Sequence, residues 1–189
     1  MTIIDAGTGR WRSGPMHAYF MKTSRIGFST WNAADLDLAE QLWGEPEVTR
    51  FICAAGRFTK QDIANRFHTE MENETAVHIQ YWPIFELVTG ELIGCCGLRP
   101  FPGKRNAYEL GFHLRKEFWR KGFGEEAAKA AITYGFQTLA AEALYAGHHP
   151  QNTASEKLLL KLGFQKIGNL FYEPTGLYHP SYKLEKCAL

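Results

Sequence analysis

Cysteine is scarce in this chain, and its spacing suits neither metal nor disulfide chemistry. Four cysteines occur in 189 residues, Cys53, Cys95, Cys96 and Cys187, and none forms a C-x-x-C pair. Free thiols in a reducing cytoplasm are therefore expected, and no metal site. An excess of one charge is missing too: 21 Lys and Arg stand against 20 Asp and Glu, for a net charge of +1. That balance argues against a nucleic-acid partner. No apolar run approaches the length of a membrane span. Met1 to Met16 is polar and lacks the apolar core of a signal peptide, so no membrane association is expected. No G-K-[ST] follows a glycine loop, which removes the usual nucleoside triphosphate site. Internal repeats and linker-like stretches are absent as well. Residues 1–18 read as a flexible lead-in and residues 19–189 as one domain.

The most informative stretch runs from Tyr108 to Ala127. An apolar strand-like run, Tyr108 to Leu114, gives way to a basic turn containing Gly122 and Gly124, and an alanine-rich helix follows. A helix start leaves backbone N–H groups without partners at the positive end of the helix dipole. Glycines there let a ligand approach the main chain. Such a join suits an anion, above all a phosphate group. The plain alternative is a helix start with a solvated basic loop. Gly122 to Ala127 also fits the dinucleotide pattern G-x-G-x-x-A, with Glu142 near the expected acidic offset. That pattern needs its first glycine at the strand end. Here Arg115 to Lys121 intervene, and the dinucleotide reading is rejected.

Around this join the residues predict alternating strands and helices. A first strand is expected within Phe20 to Thr30, and a helix starting at Asn32 or Asp35 and running through Trp43. A second helix is capped by Thr59, with Ile63, Phe67 and Met71 on one face as core. Pro83 to Val88 and Leu92 to Leu98 read as a hairpin turning at Thr89-Gly90-Glu91, followed by a strand over Ala107 to Leu114. The helix from Gly122 to Leu139 leads to a strand over Ala143 to Gly147. A further helix, capped by Asn152 or by a box over Thr153 to Glu156, stops at Gly163. Phe164 to Tyr172 and Tyr178 to Lys186 are expected to close the sheet. The fold class is α/β (α+β) with a mixed sheet.

Several stretches in this order resemble the GNAT superfamily of acyl-CoA N-acetyltransferases, and within it the RimJ/RimL-like branch. They are Trp31 to Leu36, Trp43 to Val48, Gly90 to Gly94, Glu109 to Phe112, Phe118 to Ala127, Asn152 to Ser155 and Lys161 to Phe164, so the likeness spans about residues 22 to 186. It implies a mostly antiparallel central sheet flanked by helices, with one splayed central strand, and acetyl-CoA as cosubstrate. By position, the main chain of Trp119, Arg120, Lys121, Gly122, Phe123 and Gly124 would wrap the pyrophosphate, with Arg120 and Lys121 offsetting its charge. Phe112, His113 and Leu114 would pair with the pantetheine arm through their peptide groups. Asn152 and Ser155 would face the arm near the sulfur, beside a plain capping role. Two positions depart from the wider pattern. Trp119 stands where Arg or Gln is common, and Leu159 where a tyrosine often protonates the leaving thiolate.

Acetyl transfer to an amine needs a neutral nitrogen, a held oxyanion and a thiolate that leaves. An α-amine, with a pKa of about 7.7–8.0, is partly neutral at pH 7, whereas a lysine at about 10.4 is almost wholly charged. The resemblance places Glu109 as the base, against an alternative role as a strand carboxylate in a surface ion pair. Main-chain N–H near Leu114 would hold the oxyanion, and Ser155 is the candidate donor to the thiolate. Tyr134 and His113 fit packing better than catalysis, and His148-His149-Pro150 lacks a third metal ligand. The expected acceptor is a protein N-terminal α-amine. A small-molecule amine and a non-catalytic CoA-binding sensor are the alternatives. A homodimer is left open. Residues 43–60, 99–106 and 172–180 are the segments expected to shape the acceptor pocket.

Overall fold

The computed structural model describes residues 17–186. Of the expected lead-in, residues 1–16 lie outside the described residues, as does Cys187. The elements are β1 (Met21–Lys22), β2 (Ile26–Phe28), α1 (Leu36–Trp43), α2 (Pro46–Thr49), α3 (Lys60–Val77), β3 (Tyr81–Glu86), β4 (Leu92–Pro100), β5 (Ala107–Leu114), α4 (Phe123–Gln137), β6 (Ala143–Gly147), α5 (Thr153–Lys161), β7 (Gln165–Tyr172) and β8 (Leu177–Glu185). They form an eight-stranded sheet in the order β1-β2-β3-β4-β5-β6-β8-β7. Every neighbouring pair is antiparallel except β5 with β6. This is the mixed, mostly antiparallel architecture that the resemblance implied.

Each face of the sheet buries its own apolar layer. On one face α4 lays Ala127, Ala128 and Ala131 against Ile84, Ile93, Leu98, Leu110 and Leu144. Its small side chains bring the helix close, and a Cβ at Gly135 would already touch Leu98 and Leu144 at 3.1 Å. On the other face α1 and α3 contribute Leu42, Trp43, Ile63 and Phe67 against Tyr81, Phe85, Leu92 and Cys95. The stripe expected on α3 is thus core, with Met71 packed at its margin.

Local chemistry refines several expected boundaries. The first strand is two short ones, because Thr23 N–H donates to Ile26 C=O at 2.9 Å and turns the chain between them. Asn32 and Asp35 form a capping box around a 3-10 turn that runs into α1. Pro46 occupies the first turn of α2, a short helix not expected from the sequence, where a missing N–H costs nothing. Thr59 caps α3 in a reciprocal box with Asp62. Between the two candidate caps of α5, Asn152 is the one used: its Oδ1 accepts from Ser155 N–H at 3.2 Å. Leu159 is 1% exposed within the core, so the position of the missing tyrosine points away from solvent.

Candidate active site

The parallel pairing of β5 with β6 is short. It joins Ala107, Tyr108 and Glu109 to Ala143, Leu144 and Tyr145, and then the two strands part. From Leu110 onward β5 keeps a partner only on the β4 side. Arg115 N–H donates to Ile93 C=O at 2.9 Å, which fixes the alternation along β5. The peptide groups of His113 turn toward β4, and those of Phe112 and Leu114 turn into the opening. Trp119 Nε1 donates to Leu114 C=O at 2.7 Å, so one acceptor in the opening is already taken. Of the residues expected to offer main chain here, Phe112 and the Leu114 N–H remain directed into the gap.

Beyond the strand end a 3-10 turn, Lys116 to Phe118, leads into the basic loop. Arg120 has a φ of 59° and Gly122 a φ of 83°, both left-handed, and together they fold the chain back on the start of α4. Gly122 is the N-cap and supplies no side chain, and the first intrahelical bond is Glu126 N–H to Gly122 C=O. The N–H groups of Phe123, Gly124 and Glu125 therefore lack helical partners. The side chains of Phe123 and Phe118 go to the core, with ring centroids 5.7 Å apart. Gly124 lies against Leu114 and Leu158, so a larger side chain there would press on packing as well as on the loop. Arg120 and Lys121 are exposed beside it.

Two glutamates follow these free N–H groups, and both are occupied elsewhere. Glu126 accepts from Thr23 Oγ1 at 2.6 Å, from Ser24 Oγ and Arg25 N–H at 3.0 Å, and from Arg25 Nε at 2.7 Å. Arg25 also donates through Nη1 to Lys121 C=O at 3.0 Å, tying the β1–β2 turn to the loop. Glu125 bonds Lys129 at 2.8 Å and Lys161 at 2.5 Å, and these partners hold its carboxyl down at about 2. With both carboxylates neutralised laterally, the helix dipole and exposed cations are left to meet an anion. The site fits a diphosphate. The part played by Arg25 escapes sequence reading, because its partners lie about a hundred positions away; the polar Thr23-Ser24-Arg25 turn was the only signal.

At the start of α5, Asn152 and Ser155 are half-buried, and the capping bond employs Asn152 Oδ1 and the Ser155 N–H rather than the Ser155 hydroxyl. His148 is not free to bind a metal through Nδ1, which donates to His149 C=O at 2.9 Å. Its Nε2 lies 3.2 Å from the Tyr182 hydroxyl. Tyr134 packs edge-on to Trp82, with centroids 5.0 Å apart.

Glu109, Gly111 and His113 alternate along β5 on the face covered by α1 and α3. Glu109 is half-buried, and burial raises its carboxyl above the ordinary carboxylate range, against the opposing pull of Arg99 and Arg66. Trp43 Nε1 donates to His113 Nδ1 at 3.1 Å, which places the imidazole proton on Nε2. Burial, then Arg66 and Arg99, push the His113 pKa well below its usual value, so the ring stays neutral. Tyr81 lies over Gly111, so that any Cβ there would run into the ring. Burial raises the pKa of the Tyr172 hydroxyl, at the end of β7, with Arg66 and Arg99 opposing the rise and Glu109 adding to it. An open groove of about 460 Å³ adjoins this face, between residues 52–59 and the turn at Tyr172 and Pro174. Two of the three segments expected to shape an acceptor pocket thus line it. Arg66 and Arg99 were not singled out from sequence; the i, i+4 spacing of Arg66 and Glu70 was the available signal.

An opened strand edge, a half-buried carboxyl where the opening begins and an anion cradle beyond its end are an arrangement that suits an acyl-CoA-dependent transferase. The family of the "Acetyltransferase (GNAT) domain" matches residues 25–165. N-acetyltransferase p20 of Bacillus licheniformis is 35% identical over 150 residues, 78% of this chain and 83% of that protein. The [ribosomal protein uS5]-alanine N-acetyltransferase of Escherichia coli is 33% identical over 89 residues, covering 47% of this chain and 46% of that one. The fold is shared with Mycobacterium smegmatis RimJ, solved with CoA-disulfide, at a TM-score of 0.70 and 13% identity, covering 85% of this chain and 81% of that one. The chain belongs to the GNAT acetyltransferases and is an acetyl-CoA-dependent N-acetyltransferase.

Proposed function

We propose that the acetyl acceptor is a protein N-terminal α-amine, and that Glu109 takes its proton. The observation that carries this reading is the position of Glu109 at the last paired rung of β5 and β6, where the strands begin to part. A carboxyl raised by burial is a better proton acceptor than a solvated one. An α-amine suits it, since about a tenth is already neutral at pH 7. The uS5-alanine enzyme, related over part of its length, carries the same chemistry in its name.

Acetyl-CoA supplies an activated thioester. The N–H groups of residues 120–124, with Arg120 and Lys121, hold its diphosphate, the expected Trp119 N–H being spent on Lys116 C=O, and the peptide groups of Phe112 orient the arm in the gap. The amine nitrogen bonds to the acetyl carbon, and its surplus proton passes to Glu109. The Leu114 N–H stabilises negative charge on the carbonyl oxygen. As the carbon–sulfur bond breaks, the Ser155 hydroxyl protonates the thiolate and is reprotonated from solvent. The test is to incubate the full chain with acetyl-CoA and a panel of peptides, lysine-blocked peptides and small amines, following free thiol. Release with peptides bearing a free N-terminus supports the reading. Release only with lysine side chains or small amines would replace the acceptor.

A further inference from the structure

The face that carries Glu109 gathers two guanidiniums, Arg66 and Arg99, around the carboxyls of Glu70 and Glu109. Glu70 is wholly buried and serves two guanidiniums at once. Its Oε1 accepts from Arg66 Nε at 3.0 Å and from Arg99 Nη2, while its Oε2 accepts from Tyr81 N–H at 2.9 Å. The two guanidiniums stand 5.2 and 4.3 Å from the centre of the Tyr81 ring. Each retains one buried nitrogen with no hydrogen-bond partner, Nη2 of Arg66 and Nε of Arg99. Buried polar groups in native proteins are nearly always partnered, so these two orphans, one of them on an arginine that lines the groove, need a reason.

Arg66 lines that groove together with Arg57, Phe58 and Tyr172. Asp62 is also in the lining, but its carboxylate caps α3 by accepting from Thr59 N–H at 2.8 Å and Thr59 Oγ1 at 2.7 Å. When Glu109 gains a proton from the amine, the cluster is left with two guanidiniums and the single carboxylate of Glu70. An uncompensated buried charge is strongly disfavoured.

Building on the acetyl-transfer reading, we propose that the acceptor bears a carboxylate close to its reacting amine, and that Arg66, backed by Arg99, receives it from the groove. A planar guanidinium already held by Glu70 offers a pre-organised fork for such a group. The carboxylate belongs either to a free amino acid or to an acidic side chain near the start of a peptide.

The experiment compares matched pairs on the full chain with acetyl-CoA, by thiol release. One arm sets free amino acids against their α-carboxamides, and the other sets C-terminally amidated tripeptides with Asp at the second residue against those with Asn. The carboxylate member of at least one arm is expected to have about ten- to a hundredfold higher kcat/KM, as for a charge-assisted bond. The arm that shows it names the source. Arg66→Gln brings the ratio close to one, and the wild-type comparison stands even if that variant fails to fold. Equal turnover of carboxylate and carboxamide in both arms overturns the inference and leaves the acetyltransferase intact. If no amine releases thiol, the acceptor reading fails instead. Calorimetric titration of the same pairs into the CoA-bound protein then decides: binding of the carboxylate member alone supports the inference, and equal or absent binding overturns it.

Discussion

Glu109 owes its proposed role to enclosure rather than to its identity as a glutamate. A carboxyl raised by burial is protonated, and useless as a base, below its elevated pKa. Wild-type kcat/KM should therefore fall as pH drops through a value above the solvated carboxylate range of about 4.3. Glu109→Gln is expected to lower kcat by about 10²–10³-fold with little change in acetyl-CoA affinity, and to lose that acidic limb. A variant that keeps the wild-type pH–rate profile would clear Glu109. The motif in which it sits made Glu109 readable in the sequence. Arg66 and Arg99 were not readable, since what singles them out is a shared partner, Glu70, and a common ring, Tyr81, contributed by other elements. The sequence also offered His113 as a further residue of interest. Its ring proves to be a neutral core acceptor held by Trp43, a contact between positions 70 residues apart.

Among the elements, the start of α4 is the part most nearly written in local sequence. Its glycines, its basic loop and its alanine face follow from short-range rules of helix initiation and close packing. The brace that holds the loop does not. Arg25 bridges Glu126 and the Lys121 carbonyl from the β1–β2 turn. Arg25→Ala is expected to raise the KM for acetyl-CoA about tenfold by releasing the loop, with kcat at saturation much less affected. Equal loss of kcat would place Arg25 elsewhere in the reaction. On β5, Gly111 is required by the close approach of Tyr81. Gly111→Ala should cost about 1–3 kcal/mol of stability, measured by denaturant unfolding, as the ring is forced from its place. An unchanged midpoint would show that Tyr81 yields freely.

For the molecule as a whole, the proposed cosubstrate site joins β5, the loop before α4 and the start of α5, so that ligand binding there would be linked to folding. Acetyl-CoA at about a hundred times its Kd should stabilise the native state by about 2.7 kcal/mol, raising Tm by about 5–10 °C. No shift at saturating acetyl-CoA would contradict the diphosphate cradle. What the amino-acid order alone determined was the kind of most elements and the glycine-bearing basic join before α4, because capping, periodicity and glycine placement act over a few neighbouring residues. Only the tertiary structure decided which peptide groups of β5 face the opening, which cations brace the loop, and what charge surrounds Glu109. Those outcomes depend on strand register and on side chains meeting across long sequence separations, where no local pattern records the partner.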